Sequence, residues 1–421
     1  MCAQNSTKTV DNASQSVKLL VFRFVGKGGA AVRLSMNTRY AVIHASFWGA
    51  YGSLWAFIAL VLEHNGFASA QVGVVTSCAT LLSVFLSPAV SSFLDARPGL
   101  ENRHGAMALL TLAAALCLLA WLVPLPRPFV LGACFALIGA FLSSTPPFQN
   151  AMAMDANRCG IPVVYGFCRG VGSVSYAAAV LLLGFVLERH APTLLLPIFA
   201  ALTACGLLAM SGFRLPERPD EAADRPAEHR SIAAVLRSHP RFALTLLGCM
   251  FFFLTHTISN TYMNALVGKA GGTASAVGTS LAISAVLELP AMTLVSRLQK
   301  RFSPGFFLRF AAGAEIVKFL IFYLARSMPL IYLGHCMQFF QFAVYAPATV
   351  YYVAAALPER DQLKGQSLIY VAGSGLGGAL GNLLGGRLLD RSGIQAALLL
   401  GTVSAAASLL TFCLSTREDS R

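Results

Sequence analysis

Val84-Phe-Leu-Ser-Pro88 returns 202 positions later as Val286-Leu-Glu-Leu-Pro290, and the second copy carries Glu288 where the first carries Leu86. Pro146 recurs as Pro347 at an offset of 201, and Gly184-Phe-Val-Leu-Glu-Arg189 recurs as Gly386-Arg-Leu-Leu-Asp-Arg391 at 202. Three matches at nearly one offset predict two related halves of about two hundred residues, a far longer unit than solenoid or propeller repeats.

Composition sets the solvent of those halves. Hydrophobic residues make up 56% of the chain and charged residues 12%, against roughly 45–50% and 25% in soluble domains, so there is too little charge to cover a water-facing surface. The chain holds twelve apolar stretches, near 41–62, 70–93, 105–124, 129–152, 165–188, 192–213, 242–266, 274–297, 306–325, 328–353, 365–388 and 395–415. Most reach the ~20 residues that cross a hydrocarbon core as helix. Barrel strands would be about ten residues long and alternating, so the predicted fold is an all-α membrane protein of two pseudo-symmetric six-helix bundles.

With the N-terminus inside, 23 of the 31 Lys and Arg fall in cytoplasmic stretches, six in outer loops (Arg127, Arg189, Lys269, Arg326, Arg387, Arg391) and two, Arg309 and Lys318, within the ninth segment. This bias predicts both termini in the cytoplasm. The net charge of +13 is therefore a topology signal, and no basic stripe with interleaved aromatics suggests nucleic acid. The charged, Pro-bearing stretch 214–241 reads as the linker between bundles at 39–213 and 242–415, followed by a short tail at 416–421. Residues 1–38 form a basic tail with Lys18, Arg23, Lys27 and Arg33; Met36 offers an alternative start. The ten Cys lie mostly singly in apolar segments without metal-ligand spacing, and no cleavable signal is evident.

Twelve spans in two halves, with no phosphate-binding Gly-x-x-x-x-Gly-Lys loop, predict a transporter that takes its energy from an ion gradient, without a cofactor or metal. Gly373-Ser-Gly375-Leu-Gly-Gly378 matches a dinucleotide fingerprint in form only, because it follows no strand and lies within a span. Gly377, Gly381 and Gly385 form instead a smooth ridge for close helix packing and sliding.

Ionisable groups inside lipid cost about 2.5–3.5 kcal/mol each on the insertion scale and mark function by default. Glu288, two residues before Pro290, is a candidate to bind substrate or carry a proton; its bland alternative is a structural ion pair. Glu315 and Lys318, at i and i+3, are close enough to neutralise each other, or one of them couples transport to protons. His335 and Gln338 share a face of the tenth span with Gln341 nearby, either in the cavity or in interhelical bonds. Asp155, a further candidate for proton coupling, and Arg169 bracket the loop into the fifth span, where Arg169, Gly172 and Tyr176 share a face, presenting a guanidinium and a ring. The bland alternative for Arg169 is that it marks the membrane edge by snorkelling. His256, Asn260 and Asn264 recur every four residues as a polar stripe on the seventh span, with His256 and Asn260 candidates to line the substrate cavity and interhelical bonding the alternative.

From residue 38 onward the chain resembles the major facilitator superfamily, and more narrowly its proton-symporter branch containing lactose permease and the phenylpropionate permeases. Tyr165-Gly166-x-x-Arg169-x-x-Gly172-Ser173-x-x-Tyr176 is similar to that branch's fifth-helix motif, which implies that Arg169 contacts substrate and Tyr176 stacks on it. Glu288-Leu-Pro290 resembles the Glu-x-Pro signature of helix eight. His335-x-x-Gln338 resembles the permease's His-x-x-Glu, but with Gln in place of the proton-carrying acid, and Lys318 stands roughly where the family has Arg. The proton therefore falls to Glu288 or Glu315, with Glu288 the leading candidate, or the protein is an uncoupled facilitator. The leading expectation is a monomeric, multi-pass plasma-membrane permease, not an enzyme, that takes up a sugar, nucleoside or aromatic acid with a proton. Proton-driven drug or sugar efflux is the alternative, and a non-transporting membrane sensor the more remote one.

Overall fold

With no water in the hydrocarbon layer, each spanning segment must pair its backbone groups internally, and the apolar stretches do so as helices. The computed structural model of the protein describes residues 35–416 except 98, 127 and 217–231. The basic tail, most of the linker and the last residues thus lie outside the described residues, as does Arg127. In chain order the spanning helices are α1 (Met36–His64), α2 (Ser69–Leu94), α3 (Asn102–Leu122), α4 (Phe129–Arg158), α5 (Tyr165–Val186), α6 (Pro192–Ser211), α7 (Pro240–Thr261), α8 (Ala274–Val295), α9 (Pro304–Leu324), α10 (Met328–Ala356), α11 (Lys364–Ser392) and α12 (Ile394–Ser415). Among the described residues, eleven of these are long and apolar enough to cross a bilayer by length and composition. The exception, α9, is as long but carries Arg309, Glu315 and Lys318. Toward the far end of the stretch 214–241 a short helix at Ile232–Ser238 leads into α7 at Pro240.

Helix pairing repeats with a step of six. In the first half α1 packs on α5 and α6, and α4 on α2 and α3; in the second, α7 packs on α11 and α12, and α10 on α8 and α9. The halves meet along α2–α11 and α5–α8, two contacts that this pseudo-symmetry exchanges. Several helices break near the middle. α1 contains a 3₁₀ turn at Trp55–Phe57, α4 restarts at Pro146, α7 stops at Thr261 before a short helix Met263–Lys269, and α10 contains a 3₁₀ turn at Met337–Phe339. Interrupted helices at mid-membrane are tolerated where they line a cavity. The Pro146/Pro347 recurrence has two outcomes, because Pro146 opens a helical segment whereas Pro347 lies inside one. The α11 glycine ridge rests on α7: a Cβ on Gly377 or Gly381 would meet the carbonyl oxygens of Met250 and Leu254. That contact lies within one half, so the ridge serves close packing there.

The Gly184/Gly386 repeat closes the halves together at the end away from the termini. Asp390, after α11's glycines, accepts the backbone N–H groups of Ser69 and Ala70 at 3.0 and 2.7 Å, capping the start of α2. Its counterpart Glu188, past the end of α5, accepts from the Thr273 hydroxyl at 2.7 Å at the start of α8. Each acid thus sits at the positive end of a helix in the opposite half. Asn264 adds a bond to Glu63 at 3.2 Å, and Ser77 one to the Ala379 carbonyl at 2.7 Å. Hydrogen bonds from Ser275 and Thr273 hold the exposed Glu188 carboxyl below its ordinary value. A lowered value in the closed state means the latch is complete above it and lost as pH falls through it. Glu188→Ala combined with Asp390→Ala is expected to open this end. Labelling of a cysteine placed at Leu281, in a cysteine-free background, should rise several-fold from that side, and acid should reproduce part of the effect in the parent only. Unchanged labelling would remove the latch.

Candidate functional site

Between the halves lies a cavity of about 470 Å³. Four helices of the first half and four of the second supply its wall, among them Trp48, Tyr51, Trp55, Thr80, Pro146, Arg169 and Tyr176 facing His256, Asn260, Glu288, Gln338, Phe342, Tyr370 and Asn382. The breaks in α1, α4, α7 and α10 fall at or beside this wall. Six residues singled out from sequence therefore meet here: Arg169, Tyr176, His256, Asn260, Glu288 and Gln338.

Arg169 is not a snorkelling edge residue. Its Nη1 donates to Ser173 Oγ at 2.8 Å, one helical turn on, and its guanidinium lies 4.0 Å from the Trp48 ring centroid. Both contacts hold the fork in place and leave further donors for the cavity. Gly172 lets α5 approach α1, since a Cβ there would sit 2.6 Å from the Trp48 ring. Opposite, Glu288 accepts from Gln338 Nε2 at 2.9 Å, and Gln338 Oε1 accepts from Lys318 Nζ at 3.3 Å. The amide's orientation follows from its neighbours, because the carboxylate can only accept and the ammonium only donate. α8 continues through Pro290, just beyond Glu288, and that ring has no N–H for the Val286 carbonyl. His256 stacks on Phe342 with centroids 4.4 Å apart, and its two nitrogens meet Gln341 Nε2 at 3.3 Å and Asn260 Nδ2 at 3.1 Å.

The other candidates are elsewhere. His335 is buried behind the wall, between Ser284 Oγ at 2.9 Å and Met263 Sδ at 3.2 Å. Asn264 belongs to the closed end through its bond to Glu63. Asp155 ties α4 to the start of α3, accepting from Asn102 Nδ2 at 2.7 Å, and pairs with Arg158 at 3.7 Å. Glu315 and Lys318 are both buried and do not form the close ion pair that their i, i+3 spacing allows, since Lys318 turns to Gln338. Sequence reasoning missed the aromatic wall of α1. Its signal was present: Trp48, Tyr51 and Trp55 are spaced by three and four, on one helical face, and hold two of the chain's three tryptophans.

A model described as the MFS_1 like family matches residues 37–400. The chain belongs to the major facilitator superfamily. It is a membrane transporter, not an enzyme. It is 26% identical over 400 residues to the maltose permease of Geobacillus stearothermophilus, covering 93% of this chain and 97% of that one. It is 22% identical over 395 residues to the uncharacterized transporter YwbF of Bacillus subtilis (strain 168), covering 92% and 96%. Its fold matches the crystal structure of the nucleoside transporter NupG with a TM-score of 0.75 at 17% identity, over 92% of this chain and all of that one.

Proposed function

We propose that this facilitator moves a neutral, hydroxyl-rich solute, a sugar or nucleoside, across the plasma membrane together with a proton. The observation that carries the reading is the charge balance of the wall. Arg169 and Glu288 both face the cavity, and each is held by a neutral partner, Ser173 and Gln338. A solute with both donors and acceptors can satisfy the two at once, whereas an aromatic acid would face the Glu288 carboxylate across the same space. Trp48, Tyr51, Trp55 and Tyr176 supply flat apolar faces for a ring, and the buried Trp48 Nε1 has no partner among the described residues. The maltose permease and nucleoside transporter likenesses point to the same class of solute.

Transport would follow alternating access. The bundles at 39–213 and 242–415 rock about the cavity as a monomer, with both termini in the cytoplasm and the latched end outside, so the present state faces inward. A ligand of the folded state raises its melting temperature, by about 2.7 kcal/mol of stabilisation at a hundredfold excess over Kd. Maltose or uridine is expected to raise the melting temperature of the purified protein by several degrees, and phenylpropionate to leave it unmoved. The reverse order would overturn the neutral-solute reading.

A further inference from the structure

We propose that Glu315 carries the coupling proton and that Lys318 transmits its charge state to the substrate site through Gln338. The inference deepens the proton-coupled reading above and rests on it. Sequence alone favours Glu288 over Glu315 as the home of the proton, and the surroundings of the two acids argue for the reverse order. Glu288 lines the cavity and accepts a hydrogen bond from Gln338 at 2.9 Å, a setting that suits a carboxylate. Glu315 is completely buried, and among the described residues neither carboxylate oxygen has a partner at hydrogen-bonding distance and angle, Gln341 being its nearest polar neighbour. An ionised carboxylate in that position would bear the desolvation cost of a charge without compensation, so the neutral acid is the form that this arrangement accommodates. The Gln341 amide oxygen has no partner among the described residues and is an acceptor that an acid proton can use.

The charged groups around Glu315 determine how the protein responds when that proton leaves. On its own helix Glu315 faces Lys318. Of the helices packed against α9, α10 brings His335 and Tyr345, α7 brings His256 behind Gln341, and α12 has no charged residue. Glu288 of α8 communicates through the Gln338 amide. Lys318 is therefore the cation placed to answer a new charge on Glu315, three residues away on the same face. It now spends its ammonium on Gln338 Oε1 at 3.3 Å. When Glu315 releases its proton to water at the cytoplasmic side, the ammonium turns to the new carboxylate. Gln338 loses the contact that fixes its amide, and Glu288 loses the donor that orients it. Solute affinity then falls as the proton departs, which is the reciprocal linkage that symport requires. In this role Glu315 and Lys318 act on the solute only through Gln338 and Glu288. The Gln that replaces the expected acid becomes the connector between the proton site and the solute site.

The test needs no solute. At neutral pH the protein in lipid vesicles should show the infrared C=O stretch of a protonated carboxylic acid, Glu315→Gln should lose it, and Glu288→Gln should keep it. Melting temperatures of both variants verify that they are folded. A band that persists in folded Glu315→Gln, or that disappears instead with Glu288→Gln, overturns the assignment. A second measurement uses maltose as the probe and a pH-sensitive dye inside the vesicles. Maltose-driven proton uptake by the parent and its loss in Glu315→Gln supports the proposal, and uptake that survives in the variant overturns it. If the parent moves no protons with maltose, the functional reading fails, while the infrared band still decides where the proton sits.

Discussion

Arg169→Ala lowers solute affinity by roughly ten- to a hundredfold, because a hydrogen bond to a charged group contributes about 1.5–3 kcal/mol and 1.4 kcal/mol is tenfold. The guanidinium is held at two points, by Ser173 Oγ at 2.8 Å and by the Trp48 face at 4.0 Å, so its remaining donors meet the solute in a fixed fork. Arg169→Lys recovers little of the loss, since an ammonium cannot stack on Trp48 while presenting a planar fork to hydroxyls. Glu288→Gln gives a comparable loss from the opposite wall. Equilibrium binding on the purified protein checks the three variants, with melting temperature in the absence of solute as the control for folding. Wild-type affinity in folded Arg169→Ala would take the cavity wall away from Arg169 and return that residue to a structural role.

Gly278→Leu abolishes transport for a different reason. α5 and α8 cross between the halves at Gly184 and Gly278, where a Cβ on Gly278 would lie 2.2 Å from the Val180 carbonyl oxygen and 3.1 Å from Gly184 Cα. These are backbone atoms and cannot swing aside, so the helices must part and the latched end cannot close. The variant is expected to remain open at that end, with transport at background and constant labelling of a cysteine at Leu281 from that side. Gly170→Ala serves as the control, because nothing lies within 4 Å of its Cβ position, and its transport should stay within about twofold of the parent. Transport by Gly278→Leu near the parent rate would mean that this crossing does not need to close.

The twelve spans, the two halves and the charged wall of the cavity were legible in the sequence, each for an identifiable reason. Lipid leaves no alternative to helix for long apolar stretches, which is why the ninth span was found despite Arg309, Glu315 and Lys318. Membrane burial makes charge expensive, so Glu288 and Arg169 stood out before any geometry was known. Gly184 and Gly386 were visible as a repeat, but not the task of the acids beyond them.

Spacing along a helix states which face a residue occupies; it does not state what stands across from that face. Glu315 and Lys318 sit at i and i+3, yet α10 offers Lys318 the Gln338 oxygen, and the two do not form a close ion pair. His335 and Gln338 share a helix face, and packing sends one behind the wall and the other into it. Glu188 and Asp390 cap helices of the opposite half, a choice made only when α5 meets α8 and α11 meets α2. Thus the sequence by itself determined the solvent, the helix count, the duplication and the residues too costly to be there by accident. The tertiary structure decided their partners, because a buried charge takes its role from the groups within about 4 Å of it, and in this fold those groups come from other helices.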